Sequence, residues 1–111
     1  MTTVSVDDKY IETIKSFTDI QTAMDIALKR YVIELISTKL TELSKRNNTY
    51  INKYQLDFET FSDKIIHDEN YVLQLEQDKE FINWEDDLID WEFNYKGIKD
   101  WKGKLQNILT T

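Results

Sequence analysis

Residues 20–43 read IQTAMDIALKRYVIELISTKLTEL, with neither proline nor glycine to interrupt them. The apolar positions are Ile20, Ala23, Met24, Ile26, Ala27, Leu28, Tyr31, Val32, Ile33, Leu35, Ile36, Leu40 and Leu43. Their recurrence at three and four is the period of a helix, not the alternation of a strand. Between positions 23 and 36 they cover most of the helix circumference, so a single packing surface cannot hide them all. A chain of 111 residues has room for one modest core, and the second surface is expected to come from another copy of the chain. Lys45, Arg46, Asn47 and Asn48 predict the stop, with cations on the negative helix end followed by residues that tolerate left-handed geometry.

Upstream of this helix, Thr2 to Val6 alternate, Val4 and Val6 on one side and Thr3 and Ser5 on the other, which predicts a short strand. Asp7 or Asp8 then caps a helix whose stripe is Tyr10, Ile11, Ile14 and Phe17. Thr18 with Gln21, or Asp19 with Thr22, starts the long helix. Residues 1–46 are thus read as a dimerisation region, and residues 47–111 as an acidic helical region within one small domain.

Downstream, a connecting segment carries Tyr50, Ile51 and Tyr54, after which Asp57 caps a short helix with Phe58, Phe61, Ile65 and Ile66 as its apolar residues. Residues 69–83 fit either a strand or a helical turn through Tyr71-Val72-Leu73-Gln74-Leu75, because periodicity does not separate the two in so short a run. In the last segment Trp84, Leu88, Trp91, Tyr95, Ile98, Leu105 and Leu109 fall at alternating four and three, with Lys102 the one interruption. That is an amphipathic helix, with Gly97 a candidate bend and with Glu85, Asp86, Asp90, Lys96 and Lys104 on the opposite face. The expected fold is all-α, mainly helical, with a short N-terminal strand.

Composition agrees with helices. Proline is absent and glycine occurs twice, as Gly97 and Gly103, so the turn punctuation of a hairpin-rich fold is missing. Absence of cysteine excludes disulfides, thiolate zinc sites and a cysteine nucleophile, and suits a reducing, cytoplasmic compartment. No apolar run approaches a membrane span. The net charge of -7 is uneven. Residues 1–55 hold eight Lys or Arg against seven Asp or Glu, a net of +1, and residues 56–111 hold six against fourteen, a net of -8. From Asp57 to Glu92 there are thirteen acids against Lys64 and Lys79, a net of -11. Such density repels nucleic acid and favours a basic protein surface.

Catalytic chemistry finds little material. His67, the lone histidine, follows Asp63 by four residues, which pairs base with orienter or two ligands, yet nothing supplies a third group. Glu85, Asp86, Asp87, Asp90 and Glu92 offer hard oxygen ligands without calcium-loop geometry, and the twelve-residue step from Asp78 to Asp90 lacks the turn glycine. The residues therefore point to a binding protein without cofactor or metal, not an enzyme. Trp84, Trp91 and Trp101 are crowded into one stretch; the first two sit on the apolar stripe, and Trp101 lies off its centre as a candidate anchor.

The first 45 residues carry a resemblance. TVSV at 3–6, the predicted helix from Asp7 to Phe17, the turn TDIQ at 18–21 and TAMDIALKRYV at 22–32 are similar to the ribbon-helix-helix proteins of bacterial type II antitoxins. The fragments KYQLDFETF at 53–61 and WEDDLIDWE at 84–92 also look like small antitoxin-like proteins. The resemblance implies an intertwined homodimer whose paired strands enter the DNA major groove, and a downstream segment that embraces a toxin. Thr3 and Ser5 would be the DNA-facing residues. Both are short, where base-reading members usually place Arg, Lys or other long side chains, and the half that carries them has a net charge of only +1. The acidic half fits the toxin-holding role more closely. It would cover a basic partner, for instance a ribonuclease groove, with Glu85, Asp86, Asp87 and Asp90 facing cations and Trp91 or Trp101 buried in the toxin. The alternative is a helical interaction or structural domain with neither DNA nor toxin partner, its acidic face serving solubility.

Overall fold

The computed structural model describes residues 3–110, which divide into two units, 3–35 and 36–110. The fold is all-helical: α1 (Asp8–Lys15), α2 (Ile20–Tyr54), α3 (Phe58–His67), α4 (Glu69–Gln77) and α5 (Trp84–Thr110). No strand occurs among the described residues: of the strand predicted from Thr2 to Val6, Thr2 lies outside the described residues, and residues 3–7 are irregular. A strand exists only through a ladder to a second one, and no second extended segment occurs among the described residues to supply it.

In the first unit Asp7 is the cap of α1, its carboxylate accepting from the Lys9 amide at 3.2 Å. The helix closes where the Phe17 and Thr18 amides both reach the Ile14 carbonyl. Of the two pairs offered for the start of α2, Asp19 with Thr22 is the one used: Asp19 accepts from the Thr22 amide at 2.9 Å and from its hydroxyl at 2.7 Å. Those bonds hold the Asp19 carboxyl below its ordinary range. Packing in this unit is thin. Ile11, Ile14, Ile20, Ala23, Met24, Val32 and Ile33 are only half-buried, and no side chain between residues 3 and 35 is fully buried.

The second unit holds the core. Here α2 does not stop at Lys45–Asn48 but runs on to Tyr54, because the polar composition there sits on a helix whose buried line continues. Leu43, Asn47, Tyr50 and Tyr54 recur at four, three and four, and the Asn47 side chain accepts the Trp91 indole N–H at 2.7 Å. The true stop is Gln55, at φ 57°. That left-handed turn is rare for a residue with a Cβ, and it is tied down by the Gln55 amide on Ile51 O and its side chain on Asn52 O, both at 2.7 Å.

Asp57 caps α3 through the Thr60 amide at 2.8 Å, and Asp68 caps α4 through the Tyr71 amide at 3.1 Å. Residues 69–77, open between strand and helix in sequence, are therefore helical. Leu43 beside Gly97, Asn47 beside Trp91, and Tyr50 and Tyr54 beside Asp90 and Asp87 show α2 and α5 running antiparallel through this unit. Tyr54, Phe61, Leu75 and Trp91 are the buried centre, ringed by Tyr50, Phe58, Ile65, Tyr71, Phe81, Trp84 and Leu88. The helix α5 continues unbroken through Gly97 and Gly103.

Candidate functional site

The acidic segment of α5 has two faces with different employments. Asp87 points inward, where it accepts from Lys53 Nζ at 2.6 Å and from the Tyr54 hydroxyl at 2.5 Å. Asp90 accepts from the Tyr50 hydroxyl at 2.5 Å and from Asn94 Nδ2 at 3.3 Å. Burial, reinforced by these carboxylates, pushes both tyrosine hydroxyls above their ordinary range. Trp91 is 0% exposed. It stacks on Tyr50, Tyr54 and Phe61 at centroid distances of 5.5, 5.9 and 5.1 Å, and Phe58 meets it edge-on at 5.6 Å. Asp87, Asp90 and Trp91 thus serve contacts within the chain.

Glu85 and Asp86 are exposed in the first turn of α5 and make no ion pair or side-chain hydrogen bond among the described residues. Beside them stand two residues that the sequence reading passed over. Ile89 is 68% and Phe93 66% exposed; four residues apart, they share one helix face. The readable signal was their spacing, which falls between the positions of the core stripe and was hidden by the acids around it. Glu92 pairs with Lys96 at 2.5 Å on the same side. Trp101 is half-buried, with Lys104 Nζ 4.2 Å from its ring centroid.

Two concavities accompany α4. One, about 270 Å³, is lined by Tyr54, Tyr71, Gln74, Leu75, Asp78 and Phe81; burial raises the Tyr71 hydroxyl there. The other, about 370 Å³, is lined by Ile65, Glu69, Val72 and Leu73. Neither gathers a nucleophile with a base. His67 Nδ1 lies 3.0 Å from Asp63 Oδ1 on the exposed face of α3, and no third group joins them among the described residues. Among the described residues no group of three or more His, Cys, Asp or Glu is placed to hold a metal ion, and no helix is long and apolar enough to cross a membrane.

In the first unit Thr3 and Ser5 are exposed ahead of α1. Phe17 is 85% exposed, and Tyr10, Ile26, Leu28, Tyr31 and Leu35 are exposed as well. Leu28, Tyr31 and Leu35 follow one another at three and four, a single stripe along α2. No protein-family model, curated protein or solved structure matches the chain.

Proposed function

We propose that this chain is an antitoxin-like holding protein: its N-terminal 46 residues pair two copies, and its acidic helical half binds and neutralises a basic toxin-like protein. The observation that carries the reading is the bare apolar face of the first unit, where Phe17, Leu28, Tyr31 and Leu35 stand exposed and no side chain is fully buried. Side chains of this kind stay in water only at a cost of about 25 cal/mol per Å², and a second chain is the cover that the ribbon-helix-helix resemblance implies. In that pairing, residues 3–6 find in the second copy the ladder partner that a single chain lacks. Thr3 and Ser5 would face DNA from the paired ribbon.

Charge supports the second half of the reading. The net of -11 between Asp57 and Glu92 steers cationic surfaces toward it and repels nucleic acid. A basic nuclease-like toxin meets both conditions, since the acids would occupy the groove meant for phosphates. Co-expression with the protein encoded beside this chain, followed by size-exclusion chromatography at low and high ionic strength, tests the reading. A complex that forms at low salt and loosens at high salt is expected. Separate elution at low salt would contradict it. Duplex DNA from the chain's own promoter, added to the same sample, supports the DNA-facing role of Thr3 and Ser5 if it shifts, the shift weakens with salt, and Thr3→Ala with Ser5→Ala diminishes it.

A further inference from the structure

The outward face of α5 is where the partner sits, and we infer that its chemistry is an apolar groove bordered by Lys or Arg, with Ile89 and Phe93 as the inserted anchors. The inference rests on the proposed holding function and adds the surface. Ile89 and Phe93 are large, two-thirds exposed and one helical turn apart, which is the i, i+4 pattern by which a helix seats itself in a groove. Ile82, in the turn before α5, is a third exposed apolar residue. Isolated apolar side chains on a surface need no explanation; this pair differs in its surroundings.

Those surroundings decide the occupant. Of the five carboxylates between Ile82 and Lys96, Asp87 points inward onto Lys53; Glu85, Asp86, Asp90 and Glu92 remain against Lys96, a net of -3. Glu85 and Asp86 border the pair with no cation of the described residues to neutralise them. In a twofold dimer the same patch would meet itself, acid against acid around the apolar centre, and like charges brought together at an interface cost several kcal/mol. A partner whose rim is cationic gains where a second copy loses. Apolar anchors inside a charged rim also match the anatomy of a specific interface.

The test uses the full chain and a fluorescein-labelled amphipathic Leu–Lys helical peptide, read by fluorescence anisotropy. Saturable binding is expected, and Ile89→Ser with Phe93→Ser weakens it roughly 30-fold or more, the effect of losing a hot-spot residue. Glu85→Gln with Asp86→Asn weakens it at low ionic strength and flattens its salt dependence. All four positions are exposed, so circular dichroism of the variants matches the parent. Failure to bind, or binding that both variants retain, overturns the inference. So does loss of self-association in the Ile89→Ser, Phe93→Ser chain by sedimentation, which gives the face to a second copy. Peptide binding that behaves as stated, together with a co-encoded protein that does not bind, leaves the surface standing and removes the antitoxin-like reading.

Discussion

Asp87 is held from two sides, by Lys53 at 2.6 Å and by the Tyr54 hydroxyl at 2.5 Å. Replacing Tyr54 with Phe keeps the ring in the core and removes one charge-assisted bond, so urea denaturation should show a loss of about 1–3 kcal/mol. The hydroxyls of Tyr50 and Tyr54 are raised above their ordinary 10.0, which means that the folded state favours their protonated forms. Their contribution is complete below pH 10 and lost as pH rises beyond it; the Tyr50→Phe, Tyr54→Phe chain should show a shallower alkaline loss. Asp57 has the opposite sign. Bonds from Thr60 lower its carboxyl below the ordinary 3.8, so its contribution is present above that pH and lost as pH falls through the lowered value. Asp57→Asn retains a capping side chain and should match the parent at neutral pH while losing part of the acid sensitivity of α3, followed by circular dichroism. Asp57 as a cap was legible from the sequence alone. That Asp87 and Asp90 are engaged by Tyr54 and Tyr50 was not, because only these partners, more than thirty positions away, distinguish them from Glu85 and Asp86.

At the level of elements, the stripes that predicted α3 and α5 are buried or half-buried except at Ile66 and Leu109, whereas the α1 stripe is half-buried only at Ile11 and Ile14 and leaves Tyr10 and Phe17 exposed; the long apolar run is α2. The misread stop of α2 has an instructive cause: Lys45, Arg46, Asn47 and Asn48 compose a helix end, but Asn47 occupies a line from Leu43 to Tyr54 that faces Trp91. A polar residue with a buried partner reads as punctuation until the partner is known. Asn94, fully buried with its Nδ2 on the Asp90 carbonyl at 2.7 Å, escaped notice for the same reason. The two glycines of α5 give a comparison. A Cβ on Gly103 meets nothing within 4 Å, whereas one on Gly97 lies 3.1 Å from Leu43 Cδ1. Gly103→Ala should therefore raise stability by about 0.8–1 kcal/mol from helix propensity. Gly97→Ala presses on the buried Leu43 side chain, which must shift slightly to admit it, and should gain little or nothing, a difference that thermal unfolding of the two variants measures.

For the whole molecule, the contrast lies between a second unit with an aromatic centre closed around Trp91 and a first unit that leaves its large apolar residues outside. Helical segments of eight residues such as α1 are marginal in water without tertiary packing, and Phe17 and the Leu28, Tyr31, Leu35 stripe are exposed, the surface that the proposed pairing would cover. The first unit also contains four Lys or Arg against six Asp or Glu between residues 3 and 35, a net of -2, so charge opposes self-pairing there far less than it does on α5. The exposed apolar surface of α2 was legible in residues 20–43, where apolar side chains surround the helix; the exposed pair Ile89 and Phe93 on α5 was not, since the two are interleaved with acids. Light scattering on the purified chain tests the account most directly. It predicts a molar mass of twice 13.3 kDa for the parent, reduced to the single-chain value when Leu28 and Leu35 are both replaced by Glu. A parent mass of 13.3 kDa would contradict the pairing of two chains on which the holding function is built.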